Sequence, residues 1–156
     1  MSEQKYHLGI KALIMNENNE ILILKANPDE LKQQGKTSDA EHRQAVAHWD
    51  LPGGRVKKGD SIEETLLKEC EEELGTRGIE IIEPFDFMVS NMKIPEGDEM
   101  LGLILFVYLC RTSQRKFALS SEHTEYRWAS VSEAKELLSF KYPQSLIKKL
   151  GSIRNG

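Results

Sequence analysis

Residues 52–75 constrain this chain more than any other stretch. Pro52-Gly53-Gly54 leads through Arg55-Val56-Lys57-Lys58-Gly59-Asp60 into Ser61–Leu74, a segment without proline or glycine, and Gly75 follows. Ser61-Ile62-Glu63-Glu64 has the form of a capping box, in which the Ser61 hydroxyl takes an orphan amide and Glu64 reaches back. Gly75 is the matching stop signal. On the helix so defined, Ile62, Leu66, Cys70 and Leu74 form an apolar stripe. Glu69, Glu72 and Glu73 share the flank beside it through i,i+3 and i,i+4 spacing. Like charges at that spacing repel, and the macrodipole disfavours carboxylates at a helix C-terminal end. A bound cation offsets both effects, and three carboxylates present hard oxygens suited to Mg²⁺ or Mn²⁺. The competing reading is a solvated acidic face. The double-glycine turn weighs against it, because it lets backbone carbonyls approach the helix flank.

These residues resemble the Nudix box, G-x5-E-x7-R-E-U-x-E-E-x-G-U, where U is a bulky apolar residue. The match starts at Gly54, includes Glu69, Cys70, Glu72, Glu73 and Gly75, and ends at Thr76. Asp60 stands for the first Glu, Lys68 for the Arg and Thr76 for the last apolar residue. The family's Glu and Arg are usually paired; Asp60 and Lys68 keep the signs and give up the guanidinium fork. The resemblance implies an α/β fold, an α/β/α sandwich with a mixed β-sheet between helices. It also implies metal-dependent hydrolysis of a nucleoside diphosphate linked to another moiety. Glu69, Glu72 and Glu73 would ligate the cation, with the Gly53 carbonyl as a further ligand. The general base would be Glu69 or a loop glutamate such as Glu122, because a base must lie within reach of the attacking water.

The rest of the chain fits one domain spanning 1–156. Hydrophobic content of 39% and charged content of 29% are ordinary for a globular protein. The net charge of −4 argues against a nucleic-acid polymer as partner, since backbone binding relies on a basic surface. It leaves a small phosphorylated nucleotide open, and a homodimer as well. Cys70 lies on the apolar stripe and Cys110 ends an apolar run. Both read as reduced packing residues of a cytoplasmic protein. Met1–Lys5 has no apolar signal core. The longest apolar run, Leu101 to Leu109, is too short to span a bilayer, so no membrane is expected.

Apolar segments 8–15 and 21–24, separated by Asn16-Glu17-Asn18-Asn19, predict a hairpin. Residues 26–47 form a long polar connection with a helical piece at 40–47, and connections of that length are often functional. Further strands are expected at 78–88, 101–110 and 125–128, a turn at 95–98, and helices at 132–138 and 144–150.

Other motifs are weaker. Gly35-Lys36-Thr37 imitates the end of a phosphate-binding loop, but the earlier glycine that motif needs falls on Glu30. His42 and His48 lack the i,i+4 spacing of a metal pair. Trp49 suits either core packing or a base-stacking wall. Arg55, beside the glycine turn, is a candidate substrate contact. Glu122-His123-Thr124-Glu125-Tyr126-Arg127-Trp128 resembles the family's loop before the late strand, where a Glu serves metal or water. The ADP-ribose subfamily carries a proline where this chain has Asn91, and the diadenosine-polyphosphate subfamily a tyrosine where it has Lys93. A nucleoside triphosphate, giving the monophosphate and pyrophosphate, is therefore the expected substrate. The alternatives are a nucleotide-sugar or dinucleotide pyrophosphatase and a non-catalytic regulatory nucleotide-binding domain. An isomerase on the same fold would want a free cysteine, which neither Cys70 nor Cys110 supplies.

Overall fold

The computed structural model describes residues 3–28 and 48–153. Most of the 26–47 connection, including Gly35-Lys36-Thr37, His42 and the helix expected at 40–47, lies outside the described residues. The strands are β1 (Tyr6–Met15), β2 (Ile21–Ala26), β3 (Trp49–Asp50), β4 (Gly53–Arg55), β5 (Glu80–Val89), β6 (Ile94–Glu96), β7 (Glu99–Arg111) and β8 (His123–Ala129). The helices are α1 (Ile62–Leu74), α2 (Val131–Leu137) and α3 (Gln144–Leu150).

The sheet runs β3-β2-β1-β7-β5, with β4 also on β1, β6 on β7 and β8 on β2. It is mixed. The central pair β1–β7 is parallel, registering Tyr6 with Gly102 and Met15 with Arg111, and the other pairings are antiparallel. The β1–β2 hairpin turns on Asn16, whose side-chain oxygen accepts from the amides of Asn18 at 2.9 Å and Glu20 at 3.0 Å.

Alternation along β1 divides the core into two layers. Ile10, Ala12 and Ile14 join Leu22 and Leu24 beneath Leu66, Cys70 and Leu74 of α1. Leu13 and Met15 join Ile21, Ile23, Leu103, Leu105 and Val107 on the opposite face, under Ala134, Leu138, Tyr142, Leu146, Ile147 and Leu150. Burial on both faces explains why β1 reads as an almost unbroken apolar run. The result is the expected α/β/α sandwich. Both cysteines are buried and unbonded, and burial pushes both thiols well above their usual range. Among the described residues no helix is long and apolar enough to cross a membrane.

The capping box is only half made at α1. The Ser61 hydroxyl accepts from the Glu64 amide at 3.2 Å, but the Glu64 carboxylate pairs with Arg77 at 3.0 Å. A guanidinium offers a stronger, charge-assisted partner than the Ser61 amide. The complete box forms instead at α2, between Ser130 and Glu133. At the other end of α1, Gly75 takes the left-handed conformation at φ 73° and donates to the Glu71 carbonyl at 3.0 Å.

Candidate active site

The glycine turn lets β4 and α1 meet. Gly53 has φ 151°, and a Cβ there would lie 2.0 Å from the Ile10 carbonyl oxygen, so only glycine fits. Its N–H donates to Glu73 Oε2 at 2.9 Å. A Cβ on Gly54 would lie 2.4 Å from the Glu69 carboxyl carbon, so that carboxylate rests directly on the turn. The two glycines thus bring two helix carboxylates, one turn apart, onto one strand.

The three helix glutamates occupy different environments. Glu73 is only 5% exposed, and burial drives its carboxyl up to about 8, against the opposing pull of Lys11 and the Gly53 N–H. Glu69 is half-buried; burial raises its carboxyl first, then the charges of Glu72 and Glu122, with Lys57 opposing. Glu72 is exposed. Among the described residues no three acidic, histidine or cysteine side chains converge into a ready-made metal centre. The donor set nevertheless fits a hard divalent cation. Its oxygens are carboxylates, and a cation would offset both the burial and the neighbouring negative charge that raise the Glu69 carboxyl.

Glu122 is exposed, immediately before β8, and lines the same cavity as Gly54 and Glu73. Its carbonyl accepts from the Asn27 amide at 2.8 Å. Glu125 registers opposite Lys25 on β2 and is not a cavity residue. Trp128 anchors the preceding loop: its indole N–H donates to the Arg115 carbonyl at 3.1 Å and its ring packs near Phe117. Arg55 is exposed at the cavity edge. Trp49 lies outside the cavity wall, half-buried against the α2–α3 core, with the Arg127 guanidinium 4.9 Å from its ring centroid. Asp60 and Lys68 meet at 3.2 Å, closing the loop over the first turns of α1. Thr76 accepts the Gly78 amide on its hydroxyl at 2.9 Å.

A second buried polar cluster lies beside it. Asp50 Oδ2 accepts from Lys11 Nζ at 3.0 Å and Lys141 Nζ at 2.6 Å. Its Oδ1 accepts from the Tyr142 hydroxyl at 2.6 Å and the Leu51 amide at 2.7 Å. All four residues supplying side chains are buried. Burial alone would raise the Asp50 carboxyl, but the two lysines outweigh it and hold the group far below the carboxylate range. Burial pulls the Lys141 ammonium down to about 8 against the attraction of Asp50. The sequence reading missed this cluster. One signal was available: Lys11 is a lone charge inside the apolar run of β1, which requires a buried partner.

A cavity of about 340 Å³ is lined by residues of both clusters, Gly54, Arg55 and Glu73 together with Lys11, Asp50 and Lys141, and Lys11 registers opposite Gly53 across β1 and β4. Its walls include Met92, Ile94, Leu103 and Leu105. Charged groups beside apolar walls suit a ligand with both a charged and an apolar part.

Known proteins carry the same architecture. The dihydroneopterin triphosphate pyrophosphohydrolase of E. coli superposes with a TM-score of 0.68 at 14% identity, covering 96% of this chain and 97% of that one. Bis(5'-nucleosyl)-tetraphosphatase [asymmetrical] of Sus scrofa is 29% identical over 105 residues, which is 66% of this chain and 69% of the pig protein. Nucleoside triphosphatase NudI of Salmonella paratyphi B is 32% identical over 89 residues, 54% of this chain and 63% of NudI, so the match spans less than two thirds of that relative. The family model for the NUDIX domain matches residues 5–149, and with the glycine turn and acidic helix in place this chain belongs to the Nudix hydrolases.

Proposed function

We propose that this hydrolase cleaves the diphosphate linkage of a nucleoside triphosphate, releasing a nucleoside monophosphate and pyrophosphate, with Mg²⁺ or Mn²⁺ as cofactor. The observation that carries the reading is the cavity, in which the glycine turn and the Glu73 carboxylate lie beside cationic side chains and apolar walls. Glu69, Glu72 and Glu73 would hold the cation, with the Gly53 carbonyl. When bound, it would lower the pKa of a water and neutralise phosphate charge.

The residues supply the rest. Arg55 stands at the cavity edge, where it can orient the phosphate chain. Water adds to phosphorus, the P–O–P bond breaks, and the proton passes to a carboxylate. Glu69 is suited to receive it, because its raised pKa makes it a stronger base than an ordinary carboxylate. Glu122, on the cavity wall, is the competing acceptor. Asp60 and Lys68 form a structural pair that braces the loop. Trp49 acts by packing, since its ring faces Arg127 and not the cavity.

A dinucleotide polyphosphate is the second reading, favoured by the similarity to the asymmetrical tetraphosphatase. Hydrolysis of a panel of nucleoside triphosphates, nucleotide sugars and dinucleotide polyphosphates separates the two. The expected result is turnover of triphosphates that chelation by EDTA abolishes. Full turnover in excess EDTA would remove the metal, and turnover confined to dinucleotides would replace the substrate.

A further inference from the structure

Lys11 lies against the glycine turn. It registers opposite Gly53, and a Cβ added to Gly53 would meet both the Cα and the Cδ of Lys11 at 2.9 Å. The aliphatic stem therefore rests on the backbone of the turn. The ammonium beyond it is held by two hydrogen bonds, to Asp50 Oδ2 at 3.0 Å and to the Leu51 carbonyl at 3.3 Å. An ammonium has three donors, and the third has no acceptor among the described residues. Lys11 lines the cavity although it is only 8% exposed. Burial raises the carboxyls of Glu73 and Glu69, and the Lys11 charge opposes it at both. Among the described residues Lys11 forms no hydrogen bond or ion pair with either glutamate.

The Asp50 cluster does not by itself account for this lysine. Lys141 already supplies one ammonium to Asp50 at 2.6 Å, and the Tyr142 hydroxyl and the Leu51 amide supply two more bonds. Lys11 is thus a second buried cation on a single carboxylate, and a buried charge is costly unless it is balanced. Glu73 and Glu69 are left to balance it. A divalent cation held by those two carboxylates would take up their negative charge and leave the Lys11 ammonium open to another anion in the cavity.

We propose that Lys11 is a phosphate-binding residue of this site, its ammonium donating to a non-bridging oxygen of a polyphosphate chain at the glycine turn. The proposal rests on the reading above that the phosphates lie at that turn, and it brings a residue of β1 into a site otherwise built from β4, α1 and the segment before β8. Asp50 and the Leu51 carbonyl already fix the ammonium, so little freedom is lost on binding. A charge-assisted bond in a buried setting is also among the stronger contacts available to a phosphate.

The test uses inorganic triphosphate as the probe, titrated calorimetrically into the protein at saturating Mg²⁺, beside a separate titration with Mn²⁺ alone. Lys11→Met should weaken triphosphate binding by ~10- to 100-fold, the range for one hydrogen bond to a charged group. The same variant should bind Mn²⁺ at least as tightly as the wild type, because a positive charge near the helix carboxylates has gone. A merely structural role would weaken both titrations together, and that result overturns the proposal, as does unchanged triphosphate affinity in a natively melting variant. The wild type supplies a second readout that does not depend on Lys11→Met folding. The Lys11 Nζ resonance, assigned by its absence from the spectrum of Lys11→Arg, should shift when Mg²⁺ and triphosphate are added together and more than with Mg²⁺ alone. A resonance indifferent to triphosphate overturns the proposal, and turnover of nucleoside triphosphates by the same protein would leave the hydrolase reading standing. A shifted resonance with no nucleotide turned over keeps the phosphate contact and removes the nucleotide substrate.

Discussion

Asp50 and Glu73 are both buried carboxylates on either side of the glycine turn, and their environments push them in opposite directions. Asp50 receives four hydrogen bonds, two of them from ammonium groups, and is held ionised far below the usual range. Glu73 receives one, from the Gly53 N–H, and is raised to about 8. Burial is comparable, so the number and charge of the partners decide the outcome. Asp50 is electrostatically complete within the fold. Glu73, with Glu69 beside it, has Lys11 and one N–H against its burial, and burial prevails.

The contrast breaks most visibly at Asp50. Asp50→Asn removes the counter-charge that two buried ammonium groups share. Removing one member of a buried ion pair costs ~3–5 kcal/mol, so urea denaturation should show a loss of that order whether or not Mg²⁺ is present. Recovery of stability by Mg²⁺ would mean that Asp50 belongs with the helix carboxylates after all.

Glu69→Gln should do the reverse. Turnover should fall by at least ~100-fold, the scale of a lost proton acceptor, while the melting temperature of the metal-free protein holds or rises. Glu122→Gln, assayed beside Glu125→Gln at saturating Mg²⁺, sharpens the assignment. A Glu122 variant within a factor of a few of wild type leaves Glu69 as the base, and a fall on the order of 10²-fold gives Glu122 that role.

The pH dependence of melting tests Glu73 directly. Its carboxyl titrates near 4.5 when unfolded and about 8 in the fold, so the folded state holds more protons between those values. Stability from this group is present below the unfolded value and is lost as pH rises through about 8. Metal-free protein should therefore lose melting temperature from pH 5 to pH 8. Glu73→Gln should flatten that slope, and so should saturating Mg²⁺, which binds the folded site. An unchanged slope in the variant would show that Glu73 is as well satisfied as Asp50.

The smallest effect belongs to the exposed pair Asp60–Lys68. Single alanine substitutions should shift stability by ~0–1 kcal/mol. A double-mutant cycle with no interaction energy would show that the contact at 3.2 Å carries no stability.

What the sequence made legible was local. The acidic helix, its Gly75 stop and the apolar runs of β1 and β7 follow from spacings within a few residues. The Lys11–Asp50–Lys141–Tyr142 cluster does not, because its members come from β1, β3 and the chain before α3, and only the folded sheet brings them together. Even local signals lose to distant partners: Glu64 is well placed to complete a capping box and is drawn to Arg77 instead. Trp49 shows the same limit, since its position before the glycine turn could not reveal that Arg127, from β8, covers its ring.

The parallel pairing of β1 with β7 also sets a schedule for synthesis. Residues 6–15 are made 96 positions ahead of their partner, residues 102–111. At ~5–20 residues per second, the strand Leu8–Met15 waits roughly 5–20 s on the ribosome with only β2 and the short β4 among its sheet partners within reach. Non-local parallel pairing of this kind is slow to form and leaves apolar strand exposed in the interval. Yield in a cell should therefore depend on translation speed and chaperone supply more steeply than the stability of the finished fold would suggest.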